Sequence, residues 1–282
     1  MRAEQLTPPV AYHAEGPVWS AHWRELRWVD MLAGDVLALG ADGSIRRTRV
    51  GAIAAALRPR QRGGAVIAVE RGFVLESENG HLTRLPELWS DPNVRMNEGG
   101  CDPEGRFYAG SMAYDQTPGA ATLYRLDPDG TTSIVLGGVT VSNGIEWSPD
   151  GSHVFYVDTP THRIDVFDYD VRRGFTDRRP FVDLTADGLL PDGLTVDSDG
   201  GVWVALANGG SVRRYDRAGR LDEVIEVPAR KVTACTIGGP EMDTLFITTS
   251  REGLDPGEDP LAGSLFRTIV GSIGVPVREF AG

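Results

Sequence analysis

Asp102-Pro-Glu-Gly-Arg-Phe-Tyr-Ala-Gly-Ser111 is followed by Ser148-Pro-Asp-Gly-Ser-His-Val-Phe-Tyr-Val-Asp158 and by Asp197-Ser-Asp-Gly-Gly-Val-Trp-Val-Ala-Leu206. Each stretch is a polar turn with glycine that runs into apolar, β-branched and aromatic residues, which is how a hairpin enters a strand. The starts lie 46 and 49 residues apart. Weaker copies begin at Trp19, Val69 and Pro240, and each of the six carries a second alternating half-motif, such as Thr122-Leu-Tyr-Arg-Leu-Asp127 or Ser211-Val-Arg-Arg-Tyr-Asp216. Six units of roughly 45 residues with about four antiparallel strands each describe an all-β, six-bladed β-propeller. A solenoid is the competing architecture, and the propeller is preferred because a closed ring hides sheet edges. The second unit, about 33 residues long, is short enough to have lost a strand. Helical signal is confined to Ala-rich Ile53–Leu57, too short to matter. With no linker or low-complexity segment, residues 1–282 read as one domain.

Composition narrows the function classes. Forty acidic against 28 basic side chains give a net charge of −12, and phosphate backbones need a basic surface, so nucleic acid is not the expected partner. No apolar run reaches the length of a membrane span, and the first residues show no secretory signal. Cys101 and Cys235 make no disulfide framework, so a reduced, cytoplasmic protein is expected. Gly and Pro together supply 53 of 282 residues, well above the average share of about 12%, which fits dense turns.

The repeats also set a phase. Five positions before Ser20, Val69, Asp102, Ser148, Asp197 and Pro240 stand Glu15, Gly64, Asn97, Asn143, Asp192 and Cys235. Equivalent positions in a propeller share radius and height, so these six are expected to ring one mouth of the central channel. Four of them bear carboxylate or carboxamide oxygens. A single Asn-Gly or Asp-Gly is ordinary turn chemistry. Phase-matched oxygens converging on one axis, however, repel or sit desolvated without a counterion. A divalent cation resolves that, and carboxylate with amide oxygen suits Ca²⁺, Mg²⁺ or Mn²⁺, with Zn²⁺ possible. The five histidines follow no phase and read as surface or structural residues. Cys235 reads as a small apolar plug.

Ala14-Glu15-Gly16-Pro17-Val18-Trp19, Arg95-Met-Asn97-Glu-Gly-Gly-Cys-Asp102, Ser142-Asn143-Gly144-Ile-Glu-Trp147 and Pro191-Asp192-Gly193-Leu194 resemble the senescence marker protein 30/gluconolactonase family, which includes regucalcin. The resemblance runs over essentially the whole chain. It implies a six-bladed propeller with one divalent ion in the channel. It also implies Glu15, Asn143 and Asp192 as metal ligands, Arg95 and Asn97 as substrate contacts, and a further acidic substrate contact near Asp115. Two departures stand out: Glu98 replaces a frequent Asp, and Tyr114-Asp115 is a shorter acidic tip than Glu-Glu, which bears on sugar specificity.

The activity implied is hydrolysis of a sugar-acid lactone. Three protein ligands leave positions on an ion for water and a substrate oxygen, so it can act as Lewis acid and acidify bound water. Arg95 and Asn97 then hold ring hydroxyls or the developing oxyanion, and Asp192 is the expected general base. A carboxylate on a cation is weakly basic, so either Asp192 or metal-bound hydroxide is the effective base. No Gly-x-Ser-x-Gly elbow offers a serine route. Two alternatives stay open: hydrolysis of other ester-like or organophosphate substrates, and a cation-binding propeller without turnover. Oligomeric state is not legible.

Overall fold

The computed structural model describes residues 1–282 and is built from six four-stranded antiparallel sheets. The first blade comprises β2 (Ala14–Ser20), β3 (Glu25–Asp30), β4 (Asp35–Leu39) and β5 (Ile45–Arg49). The second is β6 (Ala54–Pro59), β7 (Ala65–Val69), β8 (Gly72–Glu76) and β9 (Leu82–Arg84). The third is β10 (Val94–Cys101), β11 (Phe107–Ala113), β12 (Ala121–Leu126) and β13 (Thr132–Val139). The fourth is β14 (Ser142–Trp147), β15 (His153–Asp158), β16 (Arg163–Asp170) and β17 (Gly174–Asp183). The fifth is β18 (Pro191–Val196), β19 (Val202–Leu206), β20 (Ser211–Tyr215) and β21 (Leu221–Glu226).

The sixth blade closes the ring. It orders β22 (Val232–Gly238), β23 (Thr244–Thr249), β24 (Phe266–Ile269) and β1 (Glu4–Gln5), so the chain's first strand is the outer edge of its last sheet. This closure, absent from the sequence expectation, ties residues some 260 positions apart (Gln5 opposite Phe266). The expectation of a lost strand in the second unit does not hold. That blade keeps all four strands, and its unit reads short because its start in the repeat, Val69, lies at the end of its second strand. Ala-rich 54–57 lies in β6, where small side chains fit the crowded axis of the ring. None of the helical segments, all 3₁₀ turns of three residues, is long and apolar enough to cross a membrane.

The repeated polar turn has a mechanical purpose. Asp197 Oδ1 accepts hydrogen bonds from the Asp199 and Gly201 N–H groups, while Oδ2 accepts from Trp203 Nε1 and Arg214 Nε. Asp102 repeats the pattern with the N–H groups of Glu104 and Arg106 and the Arg106 Nε. The aspartate thus closes the hairpin and anchors the next strands, the local bonding that makes Asx residues good turn formers. Blade interfaces are apolar. Between the third and fourth blades, Tyr108, Trp147, Tyr169 and Phe175 stack in edge and offset contacts with centroids 5.0–6.0 Å apart.

The innermost strands β2, β6, β10, β14, β18 and β22 pack side by side around the axis. At one end the C-terminal segment crosses the channel. Arg278 donates to Glu146, to the Trp147 carbonyl and to the Ser148 carbonyl, and the Phe280 N–H donates to the Pro59 carbonyl. The other end stays open.

Candidate metal centre and substrate cavity

Every innermost strand breaks register with its neighbour at the same height. The irregularities fall between Glu15 and Val18, Ala54 and Ala56, Met96 and Glu98, Ser142 and Ile145, Pro191 and Leu194, and Val232 and Cys235. A bulge inserts an extra residue and re-aims side chains. Here it sets Glu15, Asn97, Asn143, Asp192 and Thr233 on the wall of one cavity of about 330 Å³ at the open end of the channel. Small residues make the convergence possible. A Cβ on Gly193 would lie 2.4 Å from the Ala234 Cβ, and one on Gly144 2.7 Å from the Leu194 backbone nitrogen. Gly16 adopts φ +47°, a left-handed backbone that favours glycine.

The phase derived from sequence fails in two blades. Gly64 lies in the loop after β6, where its carbonyl accepts from Trp23 Nε1, and Ala55 occupies the bulge instead. Cys235 sits beyond the bulge, facing the closed end of the channel, and Thr233 takes the place two residues earlier. The repeat start at Val69 belongs to the second strand of its blade, one strand too far along.

Cross-blade hydrogen bonds fix the donor set. Asn143 Nδ2 donates to Thr159 Oγ1 (3.0 Å), and that hydroxyl donates to the Pro191 carbonyl (2.9 Å). With its nitrogen so engaged, Asn143 is left with a buried Oδ1 that has no partner. Asp192 Oδ1 is buried and unpartnered as well. Glu15 Oε2 accepts the Gly16 N–H at 3.0 Å, and Oε1 lies 3.9 Å from His13 Nε2. Burial, reinforced by the charge of Asp192 and then of Glu98, holds the Glu15 carboxyl well above the usual range. Burial followed by the Glu98 charge does the same to Asp192. Buried polar oxygens are ordinarily satisfied. Two orphaned oxygens beside two like-charged carboxylates fit a hard divalent cation, and Glu15, Asn143 and Asp192 are the residues that could hold it.

Arg95 and Asn97 stand beside this set on β10. Arg95 is 4% exposed, and its Nη1 donates to Asn97 Oδ1 (2.8 Å), the Met96 carbonyl (3.0 Å) and Met31 Sδ (3.0 Å). Asn97 Nδ2 donates to the Ser142 carbonyl at 2.8 Å. Its carboxamide is therefore occupied at both ends, unlike that of Asn143.

Asp115 is not brought to this cavity. It is exposed, and its Oδ1 accepts from the Thr117 N–H (3.0 Å) and Oγ1 (2.8 Å), a local turn that holds the carboxylate outward. Its neighbours Tyr114 and Gln116 line the cavity in its stead. The Tyr114 ring lies 5.7 Å from the Arg95 guanidinium, and its hydroxyl donates to Glu70.

His13, Lys231, Ser250 and Glu252 complete one wall, and sequence pattern did not single them out as site residues. His13 Nδ1 lies 2.6 Å from Ser250 Oγ and 3.4 Å from Glu252 Oε2. Burial lowers His13 to about 4, outweighing the opposing pull of Glu252, so the imidazole is neutral at pH 7. His13 falls two residues before Glu15, and that proximity to the phased position was the available signal.

A family model described as the SMP-30/Gluconolactonase/LRE-like region matches residues 13–251. Regucalcin of Danio rerio is 34% identical over 278 residues, covering 95% of this chain and 94% of its own. The crystal structure of a calcium-binding protein, regucalcin, from Agrobacterium tumefaciens superposes with a TM-score of 0.92 at 28% identity, covering 100% of this chain and 97% of that one. A gluconolactonase from Xanthomonas campestris shares the fold with a TM-score of 0.76 at 22% identity over 93% of this chain and 87% of that one.

Proposed function

We propose that this chain, which belongs to the SMP-30/gluconolactonase/LRE-like family, is a divalent-cation-dependent lactonase that opens a sugar-acid lactone to the aldonic acid. The observation that carries the proposal is the pair of buried, unpartnered oxygens, Asn143 Oδ1 and Asp192 Oδ1, in one cavity with Glu15 and the buried Arg95. Glu15, Asn143 and Asp192 would hold the ion. A regucalcin described as calcium-binding among the similar structures agrees with a cation there. When bound, the cation supplies Lewis acidity toward the ester carbonyl and neutralises the two carboxylates.

The chain's own residues do the rest. Arg95, held by Asn97, the Met96 carbonyl and Met31, is fixed before substrate arrives, so its remaining N–H groups are aimed without reorganisation. Preorganised charge of this kind is commonly the largest catalytic contribution. Asn97, engaged by Arg95 and by the Ser142 carbonyl, keeps the guanidinium in place at the substrate's edge of the cavity. The Asp192 carboxylate, which also serves the ion, takes the proton from the attacking water. General-base assistance of this type is worth about 10²–10⁴-fold. The Tyr114 ring and the side chains of Leu32, Val141 and Leu190 supply the apolar part of the cavity wall.

The test is acid release from a panel of aldonolactones, followed with a pH indicator, before and after EDTA and after reconstitution with Ca²⁺, Mg²⁺, Mn²⁺ or Zn²⁺. EDTA-sensitive release that Asp192→Asn reduces at least 100-fold is expected. Cation binding by a folded protein that opens no lactone would leave the non-catalytic propeller, and turnover of a phosphotriester alone would leave the organophosphate hydrolase.

A further inference from the structure

Lys231 is the single lysine among 28 basic Lys and Arg residues. It is half-buried on the wall of the same cavity as Arg95. Its ammonium donates to the backbone carbonyl of Glu252 at 2.5 Å and has no carboxylate within 4 Å. Arg95 is also without a carboxylate partner, and its buried Nε–H is unsatisfied. Other partly buried cations are paired, Arg106 with Asp102 and Arg214 with Asp197, while buried Arg58, deeper in the channel, donates only to the Leu57 carbonyl. Two cations without a carboxylate partner line this one cavity, and buried charges are ordinarily paired.

The charges in the cavity point to what completes it. The carboxylates on its wall are Glu15, Asp192 and Glu252; the cations are Arg95 and Lys231. A divalent ion at Glu15 and Asp192 cancels both of those carboxylates. Glu252, its side chain 44% exposed at the rim, then faces two cations alone. One positive charge remains uncompensated in a site whose low dielectric makes it costly.

We propose that the lactone this site takes carries an anionic substituent, a carboxylate on the carbon chain as in the lactone of a sugar diacid, and that Lys231 binds it. This rests on the lactonase proposal for the substrate's ring, but not for the anion's seat. Arg95 remains beside the reacting carbonyl, and Lys231, on the wall that carries Glu252 and Ser250, receives the distal carboxylate. A hydrogen bond to a charged group is about twice as strong as a neutral one and is geometrically selective. Neutral aldonolactones leave the Lys231 ammonium without a counter-charge and are expected to be poorer substrates.

The experiment pairs two lactones, glucaro-1,4-lactone and glucono-1,4-lactone, with two products, glucarate and gluconate, on the cation-loaded protein. Wild type is expected to show kcat/KM at least tenfold higher for the acid lactone and to bind glucarate at least tenfold tighter than gluconate by calorimetry. Lys231→Met should collapse both ratios toward one, through KM more than kcat, and Lys231→Arg should restore them in part. Raising salt from 50 to 500 mM should shrink the wild-type ratio. A wild-type ratio near one, or a Lys231→Met loss equal for both lactones, overturns the anion subsite. Absence of any lactone opening while the glucarate preference and its dependence on Lys231 persist overturns the lactonase proposal and leaves the anion subsite standing.

Discussion

Replacing Asp192 with Asn should change stability in opposite directions with and without the cation. Without it, Asp192 Oδ1 is a buried, unpartnered oxygen whose carboxyl is raised first by burial and then by the charge of Glu98, and Glu15 feels the Asp192 charge in turn. Burying an unsatisfied polar group costs about 1–3 kcal/mol and more when it is charged. The isosteric amide removes the charge and keeps the shape, so a gain of at least about 1 kcal/mol is expected in EDTA. For a chain of this size that is roughly a 2 °C rise in Tm. With the cation the sign reverses. At a concentration 1,000 times Kd a ligand stabilises the native state by about 4.1 kcal/mol, roughly 8 °C in the wild type. Losing an anionic ligand and about 100-fold in affinity leaves near 1.4 kcal/mol of that, roughly 3 °C. Differential scanning fluorimetry of both proteins, in EDTA and across a Ca²⁺ or Mn²⁺ titration, measures the crossing. If Asp192→Asn melts below the wild type in EDTA, or keeps the full cation-induced shift, the assignment of Asp192 to the ion is refuted.

Other outcomes follow from the same geometry. The raised carboxyls of Glu15 and Asp192 mean that the metal-free native state holds more protons than the unfolded chain, so its stability should fall as pH rises through and above the usual carboxylate range; urea midpoints of the metal-free protein should decline between pH 4 and 7, and Asp192→Asn should flatten that slope. Asp197 runs the other way: burial raises its carboxyl, but Arg214, Trp203 and the Gly201 N–H outweigh this and lower it, so its contribution is present above the usual carboxylate range and lost in acid. Asp197→Ala leaves the Trp203 indole and the Asp199 and Gly201 N–H groups without their acceptor and Arg214 with Asp222 alone, and a loss of about 1–3 kcal/mol by urea denaturation at pH 7 is expected. Gly193→Ala would bring a Cβ to within 2.8 Å of the Ala234 Cα on the next blade; a loss of about 1–3 kcal/mol, with weakened cation binding by calorimetry, is expected because the wedge falls beside Asp192.

The blade count, the all-β class and four residues of the cavity wall were legible in the chain because their causes are local. An Asx-Gly turn closes its own hairpin through bonds within four residues, as Asp102 and Asp197 do, so it leaves a mark at every repeat. Glu15, Asn97, Asn143 and Asp192 kept a constant distance from those turns, because the bulge that aims them lies on the strand that ends at the turn. The phase was lost where the local mark was weak, at Ala55 and Thr233, and the loops that bring His13, Tyr114, Lys231 and Glu252 to the rim obey no repeat.

Sequence alone determined that six hairpin-rich units follow one another and that oxygen-bearing residues recur at one phase within them, since turn chemistry and strand periodicity act over a few residues. Only the tertiary structure decided which oxygens are left without partners, that the Asp115 carboxylate is spent on its own turn, and that Lys231 and Arg95 face one cavity without counter-charges. Those properties depend on contacts between blades and on exclusion of water, and neither is set until residues hundreds of positions apart have packed together.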